Sequence, residues 1–80
     1  MNNKIEKLND YFREKFKIDF LNENKELSSE HVFGPKIGIS AVSLLYVYAF
    51  IEKELETKIS ETFILEEKFA SFDSICTLFE

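Results

Sequence analysis

The sequence predicts an all-α protein, and three observations support this. Apolar residues recur at helical spacing in two long segments, and two serines precede apolar runs as helix N-caps do. Glycine and proline cluster in one place only, at Gly34-Pro35 and Gly38, which marks a loop. Eighty residues are enough for one domain. Residues 1–80 are therefore predicted to form a single domain with three main helices, one shorter helix and no strands.

The first helix is predicted over about residues 3–17. One apolar stripe at i, i+3, i+7 and i+11 defines it, formed by Ile5, Leu8, Phe12 and Phe16. A long ordered connection over residues 18–39 follows. Four apolar residues are expected to hold this connection to the core: Leu27, Val32, Phe33 and Ile37.

The second helix is predicted over residues 41–56, with Ser40 as its N-cap. At 100° per residue, one side of this helix forms a core stripe of Leu44, Val47, Tyr48, Ile51 and Leu55. The opposite side carries Val42, Tyr46, Ala49 and Lys53, with Leu45 and Phe50 at its margins. A helix that is apolar nearly all round is either buried on several sides or presents apolar surface to a partner.

Two short elements complete the expected fold. Residues 59–65 are predicted to be extended at first and then to form one helical turn. Ser71 is predicted to cap a last helix over residues 72–79, whose apolar positions include Phe72, Ile75 and Cys76.

Composition argues against several function classes. A net charge of −5 and a pI near 4.9 give no basic surface for nucleic acid. The longest apolar stretch, residues 41–51, is much shorter than the roughly 20 residues that span a bilayer. Cys76 is the single cysteine, no Cys/His cluster suits zinc, and residues 1–6 lack an apolar signal core. A cytoplasmic protein without metal is therefore expected.

The segment Ile37-Gly38-Ile39-Ser40-Ala41-Val42 leads into a helix that ends Phe50-Ile51-Glu52-Lys53-Glu54-Leu55-Glu56-Thr57-Lys58-Ile59. This pattern resembles acyl and peptidyl carrier proteins, in which Leu-Gly-x-Asp-Ser-Leu precedes a helix ending Leu-Glu-Glu-Glu-Phe. The order of the other predicted elements also matches. The resemblance implies a four-helix carrier-like bundle with a short third helix and a long loop between helices one and two.

The residue that carries the family's chemistry is absent from this chain. In carriers the serine of Asp-Ser-Leu holds 4'-phosphopantetheine, and counting either forward from Gly38 or backward from Glu52 places Ala41 at that position. The preceding Asp is replaced by Ser40. The early outer positions of the helix, which are usually acidic in carriers and steer the modifying enzyme, are Ser43 and Tyr46.

The chain is therefore identified with degenerate carrier-related proteins of the type found in peptide maturation (bacteriocin-type) clusters. Two stretches suggest this narrower resemblance: Phe33-Gly34-x-x-x-Gly38-Ile39-Ser40 and Lys68-Phe69-x-Ser71-Phe72. The expected function is non-enzymatic and without cofactor. A pathway protein or enzyme would dock on the 41–56 helix through Val42, Leu45, Tyr46, Ala49 and Lys53.

Alternatives stay open at this stage. Ser40 or Ser43 could carry 4'-phosphopantetheine in a working carrier, although an N-cap is the simpler role for Ser40. The connection over 18–39 could instead fold back and cover the outer helix face as ordinary core, or that face could support weak self-association. His31 is expected at the surface, Cys76 as a buried inert thiol, and Glu52, Glu54 and Glu56 at a solvated helix end.

The abundant phenylalanine suggests one further expectation. Carriers keep a hydrophobic channel between their helices, whereas a chain without a prosthetic arm has no cargo to shelter. Five aromatic residues are predicted to fill that space and to leave no large internal pocket: Phe12, Phe16, Phe63, Phe69 and Phe72.

Overall fold

The computed structural model describes residues 3–80 and is all-α over that range, with no strand, as the sequence predicts. Met1 and Asn2, which the single-domain prediction includes, lie outside the described residues. The α-helices are α1 (Asn3–Phe16), α2 (Ala41–Lys53), α3 (Glu61–Leu65) and α4 (Phe72–Cys76). Two short 3₁₀ helices cover Lys25–Leu27 and Thr77–Phe79.

Serine side chains begin three of the four α-helices. Ser40, Ser60 and Ser71 each precede a helix, and each Oγ accepts a hydrogen bond from the backbone N–H three residues further on, at 3.1–3.2 Å. An N-cap satisfies one of the amides that a first turn leaves without a partner. The predictions for Ser40 and Ser71 are confirmed, whereas Ser60 was not foreseen as a cap.

Helix α2 ends at Lys53, three residues before the predicted Glu56. Glu56 adopts a left-handed conformation with φ 50°, and the N–H of Thr57 reaches back to the carbonyl of Ile51 at 3.2 Å. Such a turn normally uses glycine, which has no Cβ to disfavour positive φ. The sequence therefore gave no signal for this helix end, and the predicted boundary is wrong.

The core is a single cluster to which all the long elements contribute. Leu8 and Phe12 of α1 pack with Val47 and Ile51 of α2, as the two predicted stripes require. Aromatic rings pack together at its centre. The ring of Phe12 contacts those of Phe20 and Phe72 edge to face, with centroids 5.1 and 6.0 Å away. Burial of these rings supplies much of the driving force for folding in so short a chain.

The connection between α1 and α2 is ordered, as predicted, and backbone hydrogen bonds hold it. The Val32 N–H donates to the carbonyl of Ala70 at 2.7 Å, and the Asp73 N–H donates to the carbonyl of Ser28 at 3.0 Å. Val32 is fully buried, and Leu27 and Ile37 pack against the core. The prediction for Phe33 is wrong, because its side chain is 49% exposed. It points away from the core that its neighbour Val32 enters.

A buried polar cluster, which the sequence analysis missed, turns the chain after α1. The Asn9 side chain donates to Asp19 Oδ1 at 2.8 Å and accepts from the Phe20 N–H at 2.7 Å. Hydrogen bonds from Asn9, together with those from Asn22, lower the pKa of the Asp19 carboxyl against the opposing effect of its burial. Asn9 thereby places Phe20 in the aromatic core.

Replacing Asn9 with Ala should destabilise the fold by about 2–3 kcal/mol, because the buried Phe20 N–H and the Asp19 carboxylate would lose their partner. Urea unfolding followed by circular dichroism measures this change. Lys15→Ala, an exposed substitution on the same helix, serves as the control and should change stability by less than about 0.5 kcal/mol. Equal midpoints for the two variants would show that the polar cluster contributes little.

Candidate functional site

Ala41 is the first residue of α2 and is exposed, at the position where the carrier pattern places its modified serine. Gly38 directs the chain into this helix with φ +68°, and its N–H donates to the carbonyl of Gly34 at 2.7 Å. The side chain of Ala41 is a methyl group, which cannot form a phosphodiester. The start of the helix therefore presents no hydroxyl at this residue.

The two neighbouring serines bond to each other. Ser40 Oγ accepts from the Ser43 N–H at 3.1 Å and donates its proton to Ser43 Oγ, also at 3.1 Å. Modification of Ser40 would replace the donated proton, and the bulky group would compete with the cap. Helix geometry also turns Ser43 away from the direction of Ala41 by about 200°.

The outer face of α2, formed by Val42, Leu45, Tyr46, Ala49 and Lys53, is open to solvent. Val42, Leu45 and Tyr46 are 62%, 68% and 64% exposed. Ala49 and Lys53 are exposed as well. The alternative in which the connection over 18–39 covers this face is therefore wrong. Phe50, at the margin of the face, packs instead on Tyr11 with ring centroids 4.4 Å apart.

An apolar groove adjoins this face, between α2 and α3, with a volume of about 380 Å³. This α2–α3 groove is lined by Phe33, Ala41, Leu44, Leu45, Tyr48, Ile64 and Phe69. The rings of Tyr48 and Phe69 meet edge to face at 6.0 Å across it. Several of its walls are themselves solvent-exposed, so it is a surface groove and not a closed cavity.

The prediction that five aromatic residues leave no large internal pocket concerns the core, whereas this apolar groove lies at the surface. Phe12 and Phe72 are buried in the core as expected, and Phe16 and Phe63 pack against it. Phe69 also packs against the core, and in addition it lines the groove in the segment that the hydrogen bond from Val32 to Ala70 holds in place. Some sequence features could have indicated the groove. Apolar residues occur in a loop and in a five-residue helix, and they belong to neither of the predicted core stripes.

The groove continues into a polar end that shares several of its walls and adds His31, Glu67 and Ala70. His31 Nδ1 accepts from the Phe33 N–H at 3.1 Å, so the neutral ring carries its proton on Nε2. Glu67 follows α3 in a left-handed conformation, with φ 59°, and makes no ion pair within residues 3–80. This end of the groove therefore carries one carboxylate, that of Glu67.

The remaining polar candidates have structural roles. Glu52 accepts from the Ile59 N–H at 3.0 Å, so it holds the chain after α2 and is not merely a solvated residue. Burial raises the pKa of Tyr48, and the nearby Glu52 carboxylate raises it further. Burial raises the pKa of the Cys76 thiol to about 12, as suits an inert cysteine. Within residues 3–80 no group of His, Cys, Asp or Glu is placed to hold a metal ion.

Comparisons of the chain with protein-family models, with curated proteins and with solved structures found no match. Across residues 3–80, no helix has both the length and the apolar character that crossing a membrane requires.

Replacing Ser40 with Ala should cost about 1 kcal/mol, because the first turn of α2 would lose its cap. Ser43→Ala is the matched control: it removes a hydroxyl that only receives the Ser40 proton, and it should have a much smaller effect. Urea midpoints of the two variants provide the comparison. A larger loss of stability for Ser43→Ala would show that the Ser40 cap is not the interaction that stabilises the first turn of α2.

Proposed function

We propose that this chain is a degenerate relative of acyl and peptidyl carrier proteins that acts as a non-enzymatic interaction module. Its fold would be the carrier-like four-helix bundle without the prosthetic arm. It would serve as an accessory protein in a biosynthetic or peptide-maturation pathway, in the cytoplasm, where a pathway protein docks on α2. The observation that carries the proposal is the exposed apolar outer face of α2 beside the Ala41 methyl group.

The order and lengths of the elements support the carrier-like fold. A 14-residue helix, a long connection, a 13-residue helix, a short third helix and a serine-capped last helix occur in that sequence. The motif residues 37–59 supply the start and end of α2. Carrier proteins share this order of elements.

The chemistry of the outer face supports docking through apolar contact. Val42 and Leu45 are aliphatic, and Tyr46 combines a large apolar ring with a polar hydroxyl, as residues at interface centres often do. Lys53 is the one charged member of this face. Such a surface loses water-exposed apolar area when a partner covers it, which is the main favourable contribution to most protein associations.

The alternative, a working carrier modified on Ser40 or Ser43, is less well supported. Both hydroxyls take part in the cap hydrogen bonds, and neither occupies the position of Ala41. No nucleophile beside a general base favours an enzyme among residues 3–80, since His31 uses Nδ1 for a backbone bond and the Cys76 thiol is buried.

Incubation with a promiscuous phosphopantetheinyl transferase and coenzyme A distinguishes the two functions. The native chain should keep its mass, whereas Ala41→Ser should gain about 340 Da, because the variant restores the acceptor hydroxyl. A genuine carrier in the same reaction shows that the transferase is active. A gain by the native chain, mapped to Ser40 or Ser43, would establish the alternative.

Replacing Tyr46 with Glu should abolish capture of the specific partner from native lysate, because a charge would have to be buried at the contact. Lys15→Gln, on the exposed side of α1, makes the same change of −1 in net charge and serves as the control. Circular dichroism should show the same helicity for both variants. Retention of the same bands by Tyr46→Glu would move the docking surface away from α2.

A further inference from the structure

We propose that the α2–α3 groove receives an amphipathic helix of the partner protein, with a lysine or arginine beside its apolar side chains that pairs with Glu67. This inference rests on the proposed function, because it names the class of partner that docks on the α2 surface. The proposed contact extends beyond α2 to side chains of α3 and to Phe33. No sequence motif marks these residues as a binding site.

The extent of the apolar surface favours a protein segment. The groove of about 380 Å³ is continuous with exposed residues on both sides of it. Leu45, which also belongs to the outer face of α2, is 68% exposed, and Leu65, next to Ile64 on α3, is 72% exposed. A small ligand held in the groove would leave most of this apolar surface in water. An amphipathic helix, by contrast, inserts anchors at i, i+3, i+4 and i+7 and covers the flanks as well.

The charges around the groove favour a basic partner. Glu67 lines the polar end of the groove and makes no ion pair in the described part of the chain. Glu66, by contrast, pairs with Lys68 at 3.2 Å. A guanidinium or ammonium group at the rim would give Glu67 a charge-assisted hydrogen bond. Such a contact fixes the direction in which the helix lies.

The same charges disfavour a second copy of this chain as the occupant. A symmetric dimer apposes the same patch on both copies. Each copy would also bring a net charge of −5 to the contact. Like charges across an interface oppose association, so a partner of opposite charge fits better.

Two fluorescein-labelled model peptides test the proposal by fluorescence anisotropy. Both carry leucine at i, i+3, i+4 and i+7 on an alanine-rich helix, with lysine at the flanking positions in one and glutamate in the other. The lysine peptide should bind the full chain at least about tenfold more tightly than the glutamate peptide at 150 mM salt. Equal affinities, or no binding of the lysine peptide at 1 mM protein, would overturn the proposal.

Variants locate the contact. Glu67→Gln should weaken the lysine peptide by about three- to tenfold, whereas Glu14→Gln on α1, which makes the same change in net charge, should leave its affinity unchanged. Ile64→Ser should weaken both peptides, with helicity checked by circular dichroism. If Glu67→Gln and Glu14→Gln weakened binding of the lysine peptide equally, the attraction would come from net charge alone, and the pairing with Glu67 would be wrong.

The variants also distinguish two questions: whether a partner docks on α2, and whether its helix lies in the α2–α3 groove. If Tyr46→Glu abolishes peptide binding while Ile64→Ser and Glu67→Gln do not, docking on α2 stands and the groove is not the site. If the partner from lysate binds Tyr46→Glu normally, the proposed function itself fails. If light scattering shows a dimer that Ile64→Ser dissociates, the occupant is a second copy and the present assignment is wrong.

Discussion

Val32 holds the long connection in place through both of its backbone polar groups. Its N–H donates to the carbonyl of Ala70 at 2.7 Å, and its carbonyl accepts from the Ile39 N–H at 2.8 Å. Its side chain is fully buried. Buried backbone groups need partners, so these two bonds fix where the connection crosses the molecule and where α2 begins. They also tie the connection to the chain just before α4.

The candidate surface follows from that constraint. The Val32–Ala70 bond joins the two segments that carry Phe33 and Phe69, and both rings line the α2–α3 groove. The bond from Ile39 sets the start of α2, so that Ala41 reaches the same groove. Because the connection is held on this course, it leaves the outer face of α2 uncovered. The apolar outer face of α2 therefore lies next to the apolar α2–α3 groove, and the two share Leu45.

The sequence predicted the features that depend on periodicity and on caps. The buried members of the two predicted stripes, Leu8, Phe12, Val47, Ile51 and Leu55, and the caps Ser40 and Ser71 are where spacing and side-chain chemistry place them. Leu44 and Tyr48, which were predicted in the same stripe, are half-buried and line the groove. The sequence did not predict features of two kinds. Some depend on contacts between residues far apart in the chain, and others on backbone conformations that the residue type does not indicate. The Asn9–Asp19 bond and the groove belong to the first kind, and the left-handed Glu56 that ends α2 early belongs to the second. Phe33 was misplaced because a hydrophobic residue in a loop does not reveal which way it points.

The outer face of α2 is bare in the isolated chain because the connection is held elsewhere. Paramagnetic relaxation of methyl groups by a soluble gadolinium chelate tests this directly. The methyl protons of Val42 and Leu45 should relax strongly, and those of Val47 and Ile51, which are fully buried on the same helix, should relax weakly. Weak relaxation of Val42 and Leu45, equal to that of Val47 and Ile51 in a dilute monomeric sample, would show that the connection covers the face and would contradict the account.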